Sequence, residues 1–354
     1  MNKVYSAVGH HLVGRALSSQ PQTPNNGVAT WNYLVFIGDA IIFFPFLLFI
    51  GYALGTLYPT LAIVEDPNPP AYEPLSANDS ADAALSPEED DGARARPVTS
   101  SLRATHLLLR SLSGWRSAFR GIIAAFSYAF LLNTITQILW SIPLINQSLA
   151  SLLASLALVQ LSAAWVHIVI SPPSPQPFYR RLPPLRRTFE ATCFPTFFAW
   201  LSLAVLEDGL GLFASLIGLP MWDRKNPMAT PWTPVDGAKA VAFFGLALAV
   251  QLLLVVPTQV LLVRVQASLL PPDEDTIVPF DRSFEGKVEP ALVGGKGFVS
   301  MRVALASFSR ASWVRLYVLY AKVAAVTALA YLAMAAIVIP EIILMVWMHG
   351  KDRN

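Results

Sequence analysis

Six ionisable side chains stand inside, or at the ends of, long uncharged stretches of this chain: Asp39, Arg120, His167, Glu207, Asp208 and Lys322. A charge in an apolar run costs free energy unless it meets a counter-charge, water or a headgroup. Each is therefore either an anchor reaching the edge of the apolar layer or a lining residue of a polar cavity. Asp39 reads as a residue reaching the interface, or facing a cavity. His167 is placed for interfacial anchoring or for proton relay. Glu207 and Asp208 are neighbours within LSLAVLEDGLGLF, and on a helix they diverge by about 100°, so both cannot face lipid. They mark a break near Gly209 and Gly211 with access to water. Arg120 and Lys322 can snorkel to the interface or hold the phosphate of a lipid or a small anionic solute. Gln137, Gln160 and Gln251 are suited to hydrogen bonds between helices.

Other chemistry is poorly provided for. One cysteine, Cys193, in the apolar run ATCFPTFFAW, excludes an internal disulfide and a cysteine-based metal centre. The pair His10-His11 reads as a solvated dipeptide, so no metal site and no cofactor are expected. GGKG at Gly294–Gly297 lacks the flanking residues of a phosphate loop, and no HExxH occurs. The chain does not read as an enzyme.

The elements that carry these residues are membrane spans. Of 354 residues, 54% are hydrophobic and 14% charged, with a mean hydropathy of +0.50. A soluble domain is about a quarter charged. The expected fold is all-α, with six transmembrane helices over 31–64, 115–140, 151–171, 189–219, 240–270 and 316–347. Residues 1–30 form a polar tail without acids, either plain and disordered or similar to a mitochondrial presequence. Residues 66–100, which include Glu88, Glu89, Asp90 and Asp91, are a disordered acidic, proline-rich loop. The amphipathic pieces SLRATHLLLRSLSGWRSAFRG and SMRVALASFSRASWVR suit helices lying at the interface.

Eighteen of the twenty-five Lys and Arg residues fall in the long segments after the odd spans, and seven on the opposite side. The positive-inside rule puts both termini outside and the long loops on the cytosol- or matrix-like side. The basic residues are spread along the membrane flanks, which gives no footprint for nucleic acid.

Span, long basic loop and span recur three times, over about 31–145, 146–235 and 236–350. Pro59 and Pro257 end odd spans 198 residues apart, two periods of about 100. The fifth span closes on PTQVLLVRVQ. There the chain resembles the mitochondrial carrier family, whose odd helices end in Pro-x-Asp/Glu-x-x-Lys/Arg-x-Lys/Arg-x-Gln. Pro257, Arg264 and Gln266 match the motif; Gln259 replaces its acid and Leu262 its first base. Phe119-Arg120-Gly121 is similar to the family's aromatic-Arg-Gly at the start of an even helix. In the first repeat Leu61 and Val64 occupy the charged positions, and the third span has no proline where the motif requires one. The resemblance implies three two-helix repeats with interfacial helices in the long loops, around a cavity closed by an ionic gate. This chain lacks the charges for that gate. The segment AWVHIVISPPSP also resembles uncharacterised fungal multi-span membrane proteins.

Two functions follow from that resemblance: transport of a small anionic solute, or a degenerate carrier acting as a membrane scaffold. Against both stands a six-span protein of the secretory pathway without transport activity. The bilayer is the expected partner, and the location is mitochondrial or, in the alternative, the endoplasmic reticulum or another endomembrane. Asn78-Asp79-Ser80 and Asn146-Gln147-Ser148 are glycosylation acceptors. With the long loops inside, Asn78 stays unmodified when the chain is expressed in cells; a mobility shift abolished by glycosidase and by Asn78→Gln would overturn this topology.

Overall fold

The computed structural model describes residues 26–66, 97–219, 233–284, 286–288 and 295–351. Among these, all regular structure is helical. Five helices are long and apolar enough to cross a membrane, and a sixth span results if one bent pair counts as one. The chain therefore has the form of a multi-span integral membrane protein. Large apolar side chains such as Phe44 (61% exposed), Phe130 (70%), Phe244 (70%) and Leu332 (67%) stand uncovered along these helices. That pattern is stable only where lipid replaces water.

The first span is α1 (Asn26–Leu48), a π-helical stretch Phe49–Leu57 and α2 (Tyr58–Val64). Pro59 offers no N–H to the turn before it, and the wider π turn is the accommodation. The fifth span repeats this plan: α9 (Pro234–Val250), a π turn Gln251–Val255 and α10 (Val256–Ser268), with Pro257 in the first turn of the last piece. The first helix thus starts at Asn26, inside the segment expected to be a polar tail, while its membrane-long apolar part, Tyr33–Val64, lies close to the expected bounds.

The third span departs from the expected single helix. It begins earlier, as α5 (Gln147–Ala157), and bends by 58° at Leu158 into α6 (Val159–Ile170). No proline causes this. The hydroxyls of Ser151 and Ser155 bond back to the carbonyls three residues before them, at 2.8 Å each, competing with the helical ladder just ahead of the bend. Asn146 caps α5 by accepting the N–H of Leu149 at 2.7 Å.

The even spans are α4 (Ile122–Trp140), then α7 (Leu185–Ala204) with a π turn Val205–Gly209 and α8 (Leu210–Leu216), and α12 (Arg310–Lys351). The sixth span starts at Arg310 rather than Leu316, because Ser309 accepts the N–H of Ser312 at 3.1 Å and opens the helix there. Where interfacial helices were expected, the connecting segments carry helices of unequal length. The first loop has α3 (Leu102–Ser113), capped by Ser101, and the third only α11 (Met301–Ala306). The second has a single turn, Phe178–Arg180. Between α3 and α4 stands Gly121, whose φ is +71° and where a Cβ would meet Trp165 at 3.3 Å. The acidic run 88–91, Asn78, His10-His11 and the connector after span four lie outside the described residues. The end of the loop expected to be disordered does not: Val98–Ser100 form a 3-10 turn, with Thr99 buried.

Two compact units result, Met1–Leu48 with Ala325–Asn354, and Phe49–Ala324. In the second unit α2, α6 and α10, the loop-side pieces of the three odd spans, pack pairwise on one another. The core sits there: Leu57–Glu65 are all buried, as are Val260, Leu261 and Val263–Leu270.

Candidate functional site: the junction of the odd spans

A helix end leaves its last carbonyls without helical partners, and in an apolar setting each must find a donor. At this junction arginines supply many of the donors. Arg264, inside α10, gives Nη1 to the carbonyl of Ile63 at 3.2 Å, Nε to that of Ala304 at 3.0 Å and Nη2 to Ser307 Oγ at 2.9 Å. Its guanidinium lies 5.0 Å from the ring centre of Phe284 and 5.3 Å from that of Phe308. Arg315, in the first turns of α12, donates to the carbonyls of Ala62 and Glu65 at 3.3 and 2.9 Å. Arg120, just before α4, donates to the carbonyl of Ile168 at 2.8 Å and to that of Ser171. The first and third spans are thus tied off by arginines from other elements. A cation at a helix C-terminus also meets the negative end of the helix dipole.

Glu65 completes the end of the first span. Its carboxylate, with a side chain 1% exposed, accepts the N–H of Val98 at 2.6 Å, the N–H of Thr99 at 3.1 Å and the hydroxyl of Thr99. Arg315 Nη1 stands 3.4 Å from it, an ion pair nearly closed to solvent. His167 Nε2 is 2.9 Å from the carbonyl of Gln266, which can only accept, so the imidazole carries its proton on that nitrogen. Gln266 passes its amide on to Ser162 Oγ at 2.9 Å, joining α10 to α6 a second time.

The residues singled out from the sequence fall into four places. Arg120 and His167 both work at the junction, linked through Ser171, whose hydroxyl donates to the His167 carbonyl at 2.6 Å. At 2% exposure His167 is buried between spans, so it neither anchors at an interface nor faces an open cavity. Arg120 is held by backbone rather than aimed at open space: its own carbonyl accepts the Tyr52 hydroxyl, which accepts Trp165 Nε1 at 3.1 Å. Glu207 and Asp208 are exposed on the π turn of span four, and Asp208 accepts the Ser148 hydroxyl at 2.9 Å. Lys322 gives Nζ to the Ser100 carbonyl at 3.1 Å. In the other unit, the carboxyl groups of Asp39 and Glu341 lie within hydrogen-bonding reach of each other.

The gate-motif residues are structural here. Pro257 starts α10, Gln259 is half-buried, and Arg264 and Gln266 are 7% and 1% exposed. Two residues of equal weight, Glu65 and Arg315, were not singled out from the sequence. A signal was present: Glu65 is the first acid after Asp39 closes the uncharged run, and Arg315, like Arg120, stands at the loop-side start of an even span. Among the described residues no group of three metal-ligating side chains forms. A cleft of about 630 Å³ lies beside the junction, between Pro97 and Ser100 on one side and Arg310, Ser312, Arg315 and Val318 on the other.

Removing one partner of the buried pair leaves the other uncompensated, at a cost of roughly 3–5 kcal/mol. Arg315→Met and Glu65→Leu alone each lower the thermal unfolding midpoint of the detergent-purified protein strongly. The double variant loses less than the sum of the two, but does not recover fully, because the bonds to Val98, Thr99 and the carbonyls of Ala62 and Glu65 go with it; additive losses would mean that the two groups act independently.

Comparison with known proteins gives no relative: no protein-family model matches the chain, nor does any curated protein or any solved structure.

Proposed function

We propose that this chain is a carrier-like membrane scaffold, a six-span protein built on three two-helix repeats whose loop-side seal is fixed rather than gated. The observation that carries the reading is the direction of the bonds at the junction. An ionic gate pairs side chains across spans and reopens by exchanging partners. Here Arg264, Arg315 and Arg120 bond backbone carbonyls of neighbouring spans, and Arg264 and Gln266 are buried. Backbone acceptors have no alternative partner in an apolar setting, so separating the spans would leave them unsatisfied. The bilayer is the first partner. The resemblance of PTQVLLVRVQ supports a mitochondrial membrane.

The competing reading, transport of a small anion, draws support from the interrupted odd spans. Each has a π turn or a bend just ahead of its loop-side piece, where a helix can flex. Uptake of labelled phosphate, dicarboxylates and nucleotides into proteoliposomes separates the two. The scaffold predicts rates equal to those of protein-free vesicles for every solute; saturable uptake of any one would establish transport. Fractionation of a tagged chain tests the location: co-purification with mitochondria is expected, and co-purification with endoplasmic reticulum would remove that part of the proposal.

A further inference from the structure

The loop after the fifth span does more than connect. Its segment from Glu274 to Phe284 touches the loop-side ends of all three odd spans. Ile277 donates its N–H to the carbonyl of Ile170 at 2.8 Å, at the end of α6. Glu274 reinforces this point through Arg181, whose Nη2 lies 2.6 Å from Glu274 Oε2 and 2.6 Å from Ser171 Oγ. Two residues on, the carbonyl of Pro279 accepts the N–H of Asp66 at 2.8 Å, just past α2. Val278 (1% exposed) and Phe284 (2%) are then buried, Phe284 against Leu261, Val265 and Leu269 of the fifth span. Further along, Val299 donates to Ser268 Oγ at 3.2 Å.

Phe284 is the strained point. Its φ of +50° lies in the left-handed region, where a residue with a side chain is strained. Asp281 sets that turn by accepting the N–H and hydroxyl of Ser283 at 2.8 and 2.6 Å. The ring so presented covers the Arg264 guanidinium, which itself reaches the carbonyl of Ile63. A strained backbone kept in place by its surroundings is a reason to look for a task.

We infer that Glu274–Phe284 is an intramolecular latch, which holds the loop-side ends of the first, third and fifth spans together in place of an ionic gate. This rests on the proposed function only in taking those ends as the seal of the membrane domain. Pro279 within the segment, and Pro271 and Pro272 just before it, restrict the backbone, so little further ordering is needed to lay it across the junction. Its grip is spread over one backbone bond to each of two spans, one half-exposed ion pair and one buried ring. Loosening the ring should therefore free spans that the ring does not touch.

The test uses the full chain in nanodiscs with Cys193→Ser and a reporter, Leu61→Cys, on α2, a site 0% exposed and outside the Phe284 cluster. A charged, membrane-impermeant methanethiosulfonate reports opening as its labelling rate. Phe284→Gly, which accepts the left-handed backbone but lacks the ring, should speed labelling roughly tenfold. Glu274→Gln, which leaves the core intact, should give a smaller increase. Phe244→Gly, deleting an exposed ring elsewhere, should give none. Unchanged labelling in a monodisperse Phe284→Gly protein overturns the latch, and so does an equal rise in Phe244→Gly. If Phe284→Gly does not fold, an unchanged rate in Glu274→Gln overturns it. The labelling ratio is independent of solute flux, so uptake by the unaltered chain would refute the scaffold and leave the latch standing.

Discussion

A helix that ends inside an apolar layer must dispose of its last carbonyls, and the structure depends on how that is done at Ile63, Glu65, Ile168 and Ser171. Water cannot serve there, and an unsatisfied carbonyl costs several kcal/mol in hydrocarbon. The chain brings arginines from elsewhere: Arg264 from the fifth span, Arg315 from the sixth and Arg120 from the second. An arginine offers five donors in a fixed fork, so one side chain can satisfy several acceptors. Because donors and acceptors lie on different spans, each capped end also binds two spans together. Glu65 extends the same logic outward, collecting the backbone of Val98 and Thr99 and ordering the end of the long first loop.

That arrangement accounts for several features that look unrelated in isolation. The loop-side pieces α2, α6 and α10 are short and heavily buried, while the opposite halves of the same spans expose their apolar faces. At Leu158 the third span bends by 58°, and past the bend α6 packs on α2 and α10. The loop from Glu274 to Phe284 then rests on that packed end. Glu65 and Arg315 form the buried charge pair of this junction, while the fifth span contributes Arg264 through bonds to backbone carbonyls and to Ser307, with Gln259 and Leu262 uncharged beside it.

How much of this was legible beforehand depends on the kind of signal. Uncharged runs of twenty or more residues identify spans whatever else surrounds them, and the turn at Pro257 follows from a missing N–H. The bend at Leu158 was not readable, because no proline marks it and serine back-bonds like those of Ser151 and Ser155 occur at Ser202 without such a bend. Arg120 and His167 were picked out as unusual, yet their roles came from partners 48 and 99 residues away. Glu65 and Arg315 look in the sequence like ordinary flanking charges; only their meeting, 250 residues apart, makes them a buried pair. Charge near a span is visible in one dimension, whereas its burial is decided in three. The two amphipathic pieces read from the sequence form helices, α3 and α11, whereas the second long loop, rich in prolines that cannot continue a helix, has the single turn Phe178–Arg180.

The central claim is that the loop-side ends of the first, third and fifth spans meet in one bonded junction. Pulsed electron paramagnetic resonance on the full chain in nanodiscs tests it most directly. Nitroxides would be placed pairwise at Asp66, Pro172 and Pro271, the positions just past each odd span, in a Cys193→Ser background. Packed helices lie about 8–10 Å apart, so the account predicts three narrow distributions, all within roughly 30 Å once label arms are included. One long distance, or two populations in any pair, would contradict it.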